Sequence, residues 1–180
     1  MTKPLYFFAL AALALPLNVS AQQQPPKSPA AEIEQMVGFT EIDVSYARPS
    51  ARDRDIYGAL VPYGEVWRAG ANASTKVSFS RPVKVGDVKL AAGVYSLFAI
   101  PGKDEWTIIF NKDTAAWGAY RYDESMDVAR VTAEPVKIEP FVETFTIGFD
   151  GLKDDSAMMY LDWANTRVAF PIVVAWDEKK

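Results

Sequence analysis

Hydrophobic and polar residues alternate with a period of two over much of the chain. Ile42, Val44 and Tyr46 are separated by small or polar residues, and residues 77–80 and 106–110 repeat this spacing. A period of two places the apolar side chains on one face of a half-buried β-strand. The pattern therefore predicts a protein built mainly from strands, without a long helix.

Turn-forming residues divide these runs at the short intervals that an antiparallel sheet protein needs. The turn signals are Gly86-Asp87, Ala92-Gly93, residues 101–104 and Asp150-Gly151. Two further strands are predicted at residues 158–163 and 168–174. Short helical turns are predicted near residues 52–60 and 114–117, and residues 29–35 form either a short helix or part of the leader.

The number and length of these runs define the fold class. Many short strands without alternating helices are typical of a β-sandwich or a barrel. We predict an all-β antiparallel sandwich of about nine or ten short strands, with a barrel as the second choice. Residues 94–100 carry apolar side chains on both faces of the run, which predicts a strand at the centre of a sheet.

The first 21 residues have the three parts of a secretory signal peptide. Lys3 supplies the positive charge, residues 5–17 the apolar stretch, and residues 19–21 a small-residue cleavage site that ends at Ala21. The apolar stretch is shorter than the roughly 20 residues of a spanning helix, and an uncleaved anchor is the alternative. No cysteine follows it, which excludes a lipoprotein signal. We expect a periplasmic or secreted protein with no membrane span after cleavage.

The rest of the chain divides into a linker, a domain and a tail. Residues 22–29 are rich in Gln and Pro and predict a disordered linker. Residues 30–176 are predicted to form a single β-rich domain, and residues 177–180 a polar tail. A chain of this length buries about two-thirds of its unfolded surface in one core.

The composition removes several classes of partner and of chemistry. The formal net charge is −4, and it becomes −5 (−4 − 1) when the signal peptide takes Lys3 with it. An acidic chain lacks the basic surface that nucleic acids require, so we expect no nucleic-acid partner. The chain has no histidine and no cysteine. This excludes a Ser-His-Asp triad, a thiolate nucleophile and the usual zinc ligands, and we predict no cofactor and no metal.

One segment, residues 63–75, contains the residue types of a binding loop. Two glycines permit tight backbone turns, and Arg68 offers a forked donor to a carboxylate or a phosphate. Trp67 or Tyr63 supplies a flat face for a sugar ring. The structural alternative is that Trp67 fills the core and Arg68 pairs with Glu65 or Asp162. Asn72 joins the candidate set, although its position after a glycine is more typical of a turn.

A second aromatic group follows the run that ends near residue 111. Trp117 and Tyr120 lie in a connection that, folded toward residues 63–75, completes an aromatic cleft with polar edges. Small ligands commonly occupy such clefts. The alternative is a satellite hydrophobic cluster beneath a long connection.

Several of these segments together resemble a known family. Residues 63–72, residues 92–98, Trp117-Gly118-Ala119-Tyr120 and Leu161-Asp162-Trp163 are similar to the exported bacterial family catalogued as domain of unknown function 2911. The resemblance extends over residues 30–175. It implies a mostly-β protein that carries a signal peptide, and it implies no catalytic residue.

Three functional hypotheses remain. The first is a non-enzymatic envelope module that binds a small polar or carbohydrate-like ligand, or an envelope protein, through Tyr63, Trp67, Arg68, Asn72, Trp117 and Tyr120. The second is a carboxylate-dependent hydrolase acting on glycosides, with Glu65 and Asp162 as its two acids, because paired acids are the arrangement that such chemistry needs. The third is a structural envelope protein that acts through an exposed strand edge.

Overall fold

The computed structural model describes residues 24–174, and this region consists mainly of ten strands and their connections. The predicted signal peptide and polar tail lie outside the described residues. The strands are β1 (Ala30–Val37), β2 (Thr40–Ala47), β3 (Thr75–Phe79), β4 (Val83–Val85), β5 (Val88–Leu90), β6 (Gly93–Ile100), β7 (Trp106–Asn111), β8 (Asp127–Ala133), β9 (Pro135–Asp150) and β10 (Ser156–Val174).

The strands form two antiparallel sheets. The larger sheet has the order β1-β2-β3-β6-β7-β8, and the smaller has the order β5-β4-β10-β9. Each sheet keeps two edge strands, so neither closes into a barrel. The predicted antiparallel β-sandwich is confirmed. The prediction of a central strand at residues 94–100 is also confirmed, since β6 lies between β3 and β7.

The core lies between the sheets and follows from the alternation in the sequence. Ile42, Val44 and Tyr46 of β2 are buried, as are Phe110 of β7 and Phe170 of β10. The rings of Phe110 and Phe170 meet edge to face with centroids 6.1 Å apart. Fully burying one such side chain contributes about 1.5–3 kcal/mol relative to leaving it exposed.

The N-terminal end of the described region differs from one sequence expectation. Residues 29–35 form no helix. Ala30–Val37 is a strand that pairs with β2 along its whole length, from Ala30 opposite Ala47 to Val37 opposite Thr40. Gly38 makes the turn between the two strands with a φ of 55°. The local sequence of residues 29–35 is compatible with either helix or strand. The ladder of hydrogen bonds with β2 favours the strand.

The two predicted helical turns are absent from the described residues, and two of the strands are longer than expected. Residues 52–60 and 114–117 form turns without helix, and Glu124–Met126 is a single 3₁₀ turn. β9 and β10 have 16 and 19 residues, so they are long rather than short. Register shifts between Asp162 and Thr166 allow the pair to bend while it remains paired.

No helix among residues 24–174 is long and apolar enough to cross a membrane.

Replacing one buried ring tests the position of the core. Phe110→Ala should lower the free energy of unfolding by about 3–5 kcal/mol, because a fully buried ring is removed. Phe141→Ala, in an exposed part of β9, should change it by less than about 1 kcal/mol. Urea denaturation measures the free energy of unfolding of both variants. Equal losses of stability would contradict the placement of Phe110 in the core.

Candidate functional site

The connection between β2 and β3, residues 48–74, crosses one end of the sandwich and is fixed there by Trp67. The backbone N–H of Trp67 donates to the carbonyl of Ala99 at 2.7 Å, and the N–H of Ala99 donates to the carbonyl of Trp67 at 2.8 Å. Ala99 lies in β6, beyond the point where β3 stops pairing with it at Leu97. Trp67 therefore continues the larger sheet by one residue.

The indole of Trp67 belongs to the core. It stacks on Trp163 with centroids 6.0 Å apart and an interplanar angle of 17°, and it meets Phe145 edge to face at 5.1 Å. Its Nε1–H donates to the carbonyl of Gly70 at 3.2 Å, and the residue is only 8% exposed. Trp67 therefore fills the core, which was the structural alternative considered from the sequence. Its faces are not available to a sugar ring.

Arg68 is half-buried beside the Trp67 ring. Its Nη1–H donates to the backbone carbonyl of Asn72 at 3.0 Å, and its guanidinium lies 5.8 Å from the ring centroid of Tyr120. Asn72 has a φ of 61°, which is the turn conformation expected of its residue type. The guanidinium of Arg68 makes no ion pair with Glu65 or Asp162, so the internal pair considered from the sequence is absent from the described residues.

A cavity of about 320 Å³ opens beside Arg68 and is lined by four cationic residues and no acidic one. We call it the cationic cavity. The buried indoles of Trp67 and Trp163 contribute apolar surface to its wall. The lining residues are Lys27, Ser28, Pro49, Ser50, Arg52, Arg54, Leu60, Val61, Trp67, Arg68, Gly70, Ala71 and Trp163.

Backbone carbonyls orient the arginines of the cationic cavity without neutralising them. Arg54 donates from Nε to Ala51 at 2.8 Å and from Nη2 to Ser50 at 2.7 Å. Arg52 donates from Nη2 to the carbonyl of Lys27 at 2.6 Å. Within residues 24–174, the guanidinium groups of Arg52, Arg54 and Arg68 make no ion pair with a carboxylate. The remaining N–H groups of each fork keep their charge and their capacity to donate.

A second cavity, of about 380 Å³, lies on the other side of Arg68 and is lined by Glu65, Trp67, Arg68 and Tyr120 among others. The structure thus brings Trp67, Arg68 and Tyr120 together, and Asn72 contacts Arg68 through its carbonyl. Tyr63 is exposed and lines neither cavity. Sequence reasoning missed Lys27, Arg52 and Arg54, although the close spacing of cations in residues 48–54 was a visible signal.

The aromatic residues of the β7–β8 connection are divided between two environments. A small cluster of Phe98, Ile109 and Ala116, joined by Tyr122, packs on the outer face of the larger sheet. It differs from the satellite cluster considered from the sequence, which was the alternative placement of Trp117 and Tyr120. Trp117 and Tyr120 are outside it, 66% and 86% exposed. Tyr120 borders the second cavity, whereas Trp117 lines neither.

The two candidate acids have different surroundings. Glu65 is exposed. Asp162 is buried and accepts two hydrogen bonds from Arg167, at 2.7 Å from Nε and 2.6 Å from Nη2. The bond to Asp162 raises the pKa of Arg167, and burial followed by the charge of Asp162 raises the pKa of the Tyr57 phenol. Asp162 lines neither cavity, so the two acids do not share a site there.

Among the described residues, three carboxylates on the β1–β2 hairpin lie close enough together to hold a metal ion. Glu34, Glu41 and Asp43 place one carboxylate oxygen each within 4.8 Å of the others. Two of the three are exposed. Charges of this kind keep an edge strand from pairing with another chain, which accounts for them without an ion.

These observations define an antiparallel β-sandwich with a cationic cavity in the loop that joins β2 and β3. A scan against family models matches residues 28–172 to the family described as "Protein of unknown function (DUF2911)". The chain belongs to this family, which confirms the resemblance found in the sequence. A search of the curated proteins and a search of the solved structures each find no match.

The Asp162–Arg167 pair yields a test of what the two acids do. Asp162→Asn should lower the free energy of unfolding by about 1–3 kcal/mol, because it weakens two charge-assisted hydrogen bonds to a half-buried guanidinium. Glu65→Gln should change it by no more than about 0.5 kcal/mol. Chemical denaturation compares the two, and a stable Asp162→Asn variant would contradict a structural role.

Proposed function

We propose that this protein is an exported binding module that holds a small anionic ligand in the cationic cavity, where it binds the ligand without catalysis. The observation that carries the proposal is the set of three arginines and one lysine that line a single cavity with no acidic residue. The whole chain has a net charge of −4. The concentration of cations is therefore a local feature and does not follow from a basic composition.

The surroundings of the cavity favour an anion electrostatically. Like charges held close together repel each other, and an anion between them relieves that repulsion. Arg68 is half-buried beside the indoles of Trp67 and Trp163, which strengthens its charge interactions, whereas Arg52 and Arg54 are exposed. Arg52 and Arg54 are held by backbone carbonyls, so little side-chain freedom is lost when a ligand arrives.

The geometry also favours a ligand with several oxygen atoms. Guanidinium forks match carboxylate and phosphate groups, and they form paired hydrogen bonds with either. A volume of about 320 Å³ is at the lower end of small-molecule sites. The exposed ring of Tyr120, next to Arg68 in the second cavity, offers a face to an acidic sugar or a similar ring. We expect a small polycarboxylate, a phosphorylated molecule or an acidic saccharide.

The expected location supports a ligand from outside the cytoplasm. The signal peptide expected in residues 1–21 directs the chain to the periplasm or the medium. The backbone of Lys27 and Ser28, just after that leader, contacts Arg52 and Asn72. The residues that follow the expected cleavage site thus complete one wall of the cationic cavity.

Calorimetric titration with inorganic phosphate and with citrate tests the proposal, with glucose as the neutral comparison. We expect both anions to bind and glucose not to bind. Arg68→Gln and Arg54→Gln should each weaken anion binding by about 10–100-fold, the loss of one charge-assisted contact. Affinity should fall as sodium chloride is raised, because the interaction is between charges.

The matched control is Arg130→Gln, because Arg130 lies on β8 in an ion pair with Glu124, away from the cavity. It should leave anion binding unchanged. Equal weakening by all three substitutions would show a response to net charge alone. That outcome, or the absence of any anion binding by the unmodified chain, would overturn the proposal.

A further inference from the structure

A row of polar side chains crosses the outer face of the larger sheet, one from each strand. Residues directly opposite each other in an antiparallel pair share a face, so the pairing register defines the row. Its members, in order across the sheet, are Glu32, Ser45, Lys76, Ser96, Asn111 and Asp127. Next to it, Phe98 and Ile109 of the same face are buried in the satellite cluster.

Lys76 lies at the centre of this row and contacts two serine hydroxyls. Its Nζ is 2.5 Å from Oγ of Ser74 and 3.1 Å from Oγ of Ser96. The two hydroxyl oxygens are 3.0 Å apart. Ser74 is the last residue before β3 and Lys76 lies two residues further on, so extended backbone here places both side chains on the same face. An amine in direct contact with a serine hydroxyl is the arrangement that replaces histidine in serine–lysine nucleophile pairs.

Contacts with the β7–β8 connection hold both hydroxyls. Ser74 Oγ donates to the carbonyl of Ala116 at 3.1 Å, and Ser96 Oγ donates to the carbonyl of Asp113 at 2.7 Å. Both hydroxyls therefore accept from Nζ of Lys76, and the Ser74 hydroxyl must rotate from Ala116 toward Nζ before Lys76 can take its proton. Ser96 is fully buried, so its part is to position the amine.

The pKa of Lys76 is shifted in the direction that a general base requires. Burial lowers the pKa of Lys76, and the charge of Asp113 on the covering connection acts in the opposite direction. The other acids that the strands place on this face are Glu32 and Glu34 on β1, Glu41 and Asp43 on β2, and Asp127 on β8. The carboxylate of Asp127 is occupied by Asn111 and Tyr122.

A cavity of about 530 Å³ leads to this pair. Ser74 and Lys76 both line it, and five alanines leave the space unfilled. Ser74 is 3% exposed, so a slender acyl group is the shape that reaches its hydroxyl. Asn72 also lines the cavity and carries a side-chain amide, the type of donor that stabilises an oxyanion. The full lining is Ala30, Ala31, Glu32, Ser45, Tyr46, Ala47, Ala71, Asn72, Ala73, Ser74 and Lys76.

From this geometry we infer that Ser74 and Lys76 form a nucleophile pair that hydrolyses small esters entering the cavity. Neutral Lys76 accepts the proton of Ser74 as Oγ bonds to the ester carbonyl carbon. The ester C–O bond then breaks, and the alcohol leaves with that proton. Water attacks the acyl-serine, gives one proton to Lys76 and releases the carboxylic acid, and the Lys76 proton returns to Oγ.

The test uses the full chain, a fluorophosphonate probe and p-nitrophenyl acetate. We expect the probe to modify Ser74, as located by peptide mass spectrometry, and the ester to be hydrolysed above the background rate. Ser74→Ala should abolish both. Lys76→Met should lower the hydrolysis rate by at least about 100-fold, as expected for loss of a general base. After subtraction of the hydroxide-dependent background, the rate should rise with pH as Lys76 loses its proton, and this rise should be absent from Lys76→Met.

Ser78→Ala is the matched control, because Ser78 lies on the same face of β3, two residues beyond Lys76. It should leave labelling and hydrolysis unchanged. Probe labelling of the unmodified chain is informative even when a variant fails to fold. No labelling, labelling at a residue other than Ser74, or a rate that is independent of pH in the range where lysine titrates would overturn the inference.

Discussion

The insertion of Trp67 between the two sheets is the contact on which the rest of this end of the molecule depends. The ring stacks on Trp163 of the smaller sheet, while the backbone bonds to Ala99 of the larger one. One residue thus joins both layers and fixes a connection of more than twenty residues. Aromatic contacts of this kind contribute about 0.5–1.5 kcal/mol each beyond the area they bury.

The position of Trp67 determines where its neighbour lies. With the indole in the core, Arg68 remains half-buried at the boundary between two cavities, and its hydrogen bond to Asn72 closes the turn. The same loop then leads into β3, where Ser74 and Lys76 face the outer side of the larger sheet. The cationic cavity and the Ser74–Lys76 pair are therefore on two sides of one loop. Ala71 lines both the cationic cavity and the cavity beside Ser74 and Lys76.

Repulsion between the like charges of the cationic cavity destabilises the folded protein, and a bound anion would relieve it. Arg52, Arg54 and Arg68 carry charges of one sign, and no described carboxylate pairs with their guanidinium groups. Mutual repulsion destabilises such an arrangement unless counter-ions or a bound anion compensate for it. A ligand that binds only the folded state also stabilises that state, in proportion to the logarithm of its concentration.

The sequence predicted what depends on local spacing and missed what depends on pairing across the sheet. The period of two identified the strands, the sandwich and the central position of β6, because burial alternates along a strand whatever its partners are. It could not show that Ala30–Val37 pairs with β2, since eight residues of weak pattern fit either helix or strand.

The sequence likewise predicted only part of the candidate site. Residue types singled out Trp67 and Arg68, and elimination of histidine and cysteine narrowed the chemistry to lysine, serine and the acids. The convergence of Lys27, Arg52 and Arg54 on Arg68 depends on the path of a long loop. The meeting of Lys76 with Ser96 depends on the β3–β6 register. Neither relation is encoded in the spacing along the chain.

The central claim is that Arg52, Arg54 and Arg68 bind one anion together. It is tested most directly by the ¹H–¹⁵N NMR signals of the arginine Nε–H groups during titration with phosphate. The account predicts that these three signals shift with a single saturation curve, while those of Arg130 and Arg167 stay in place. Equal shifts of all five signals, or no saturable shift at the three, would contradict it.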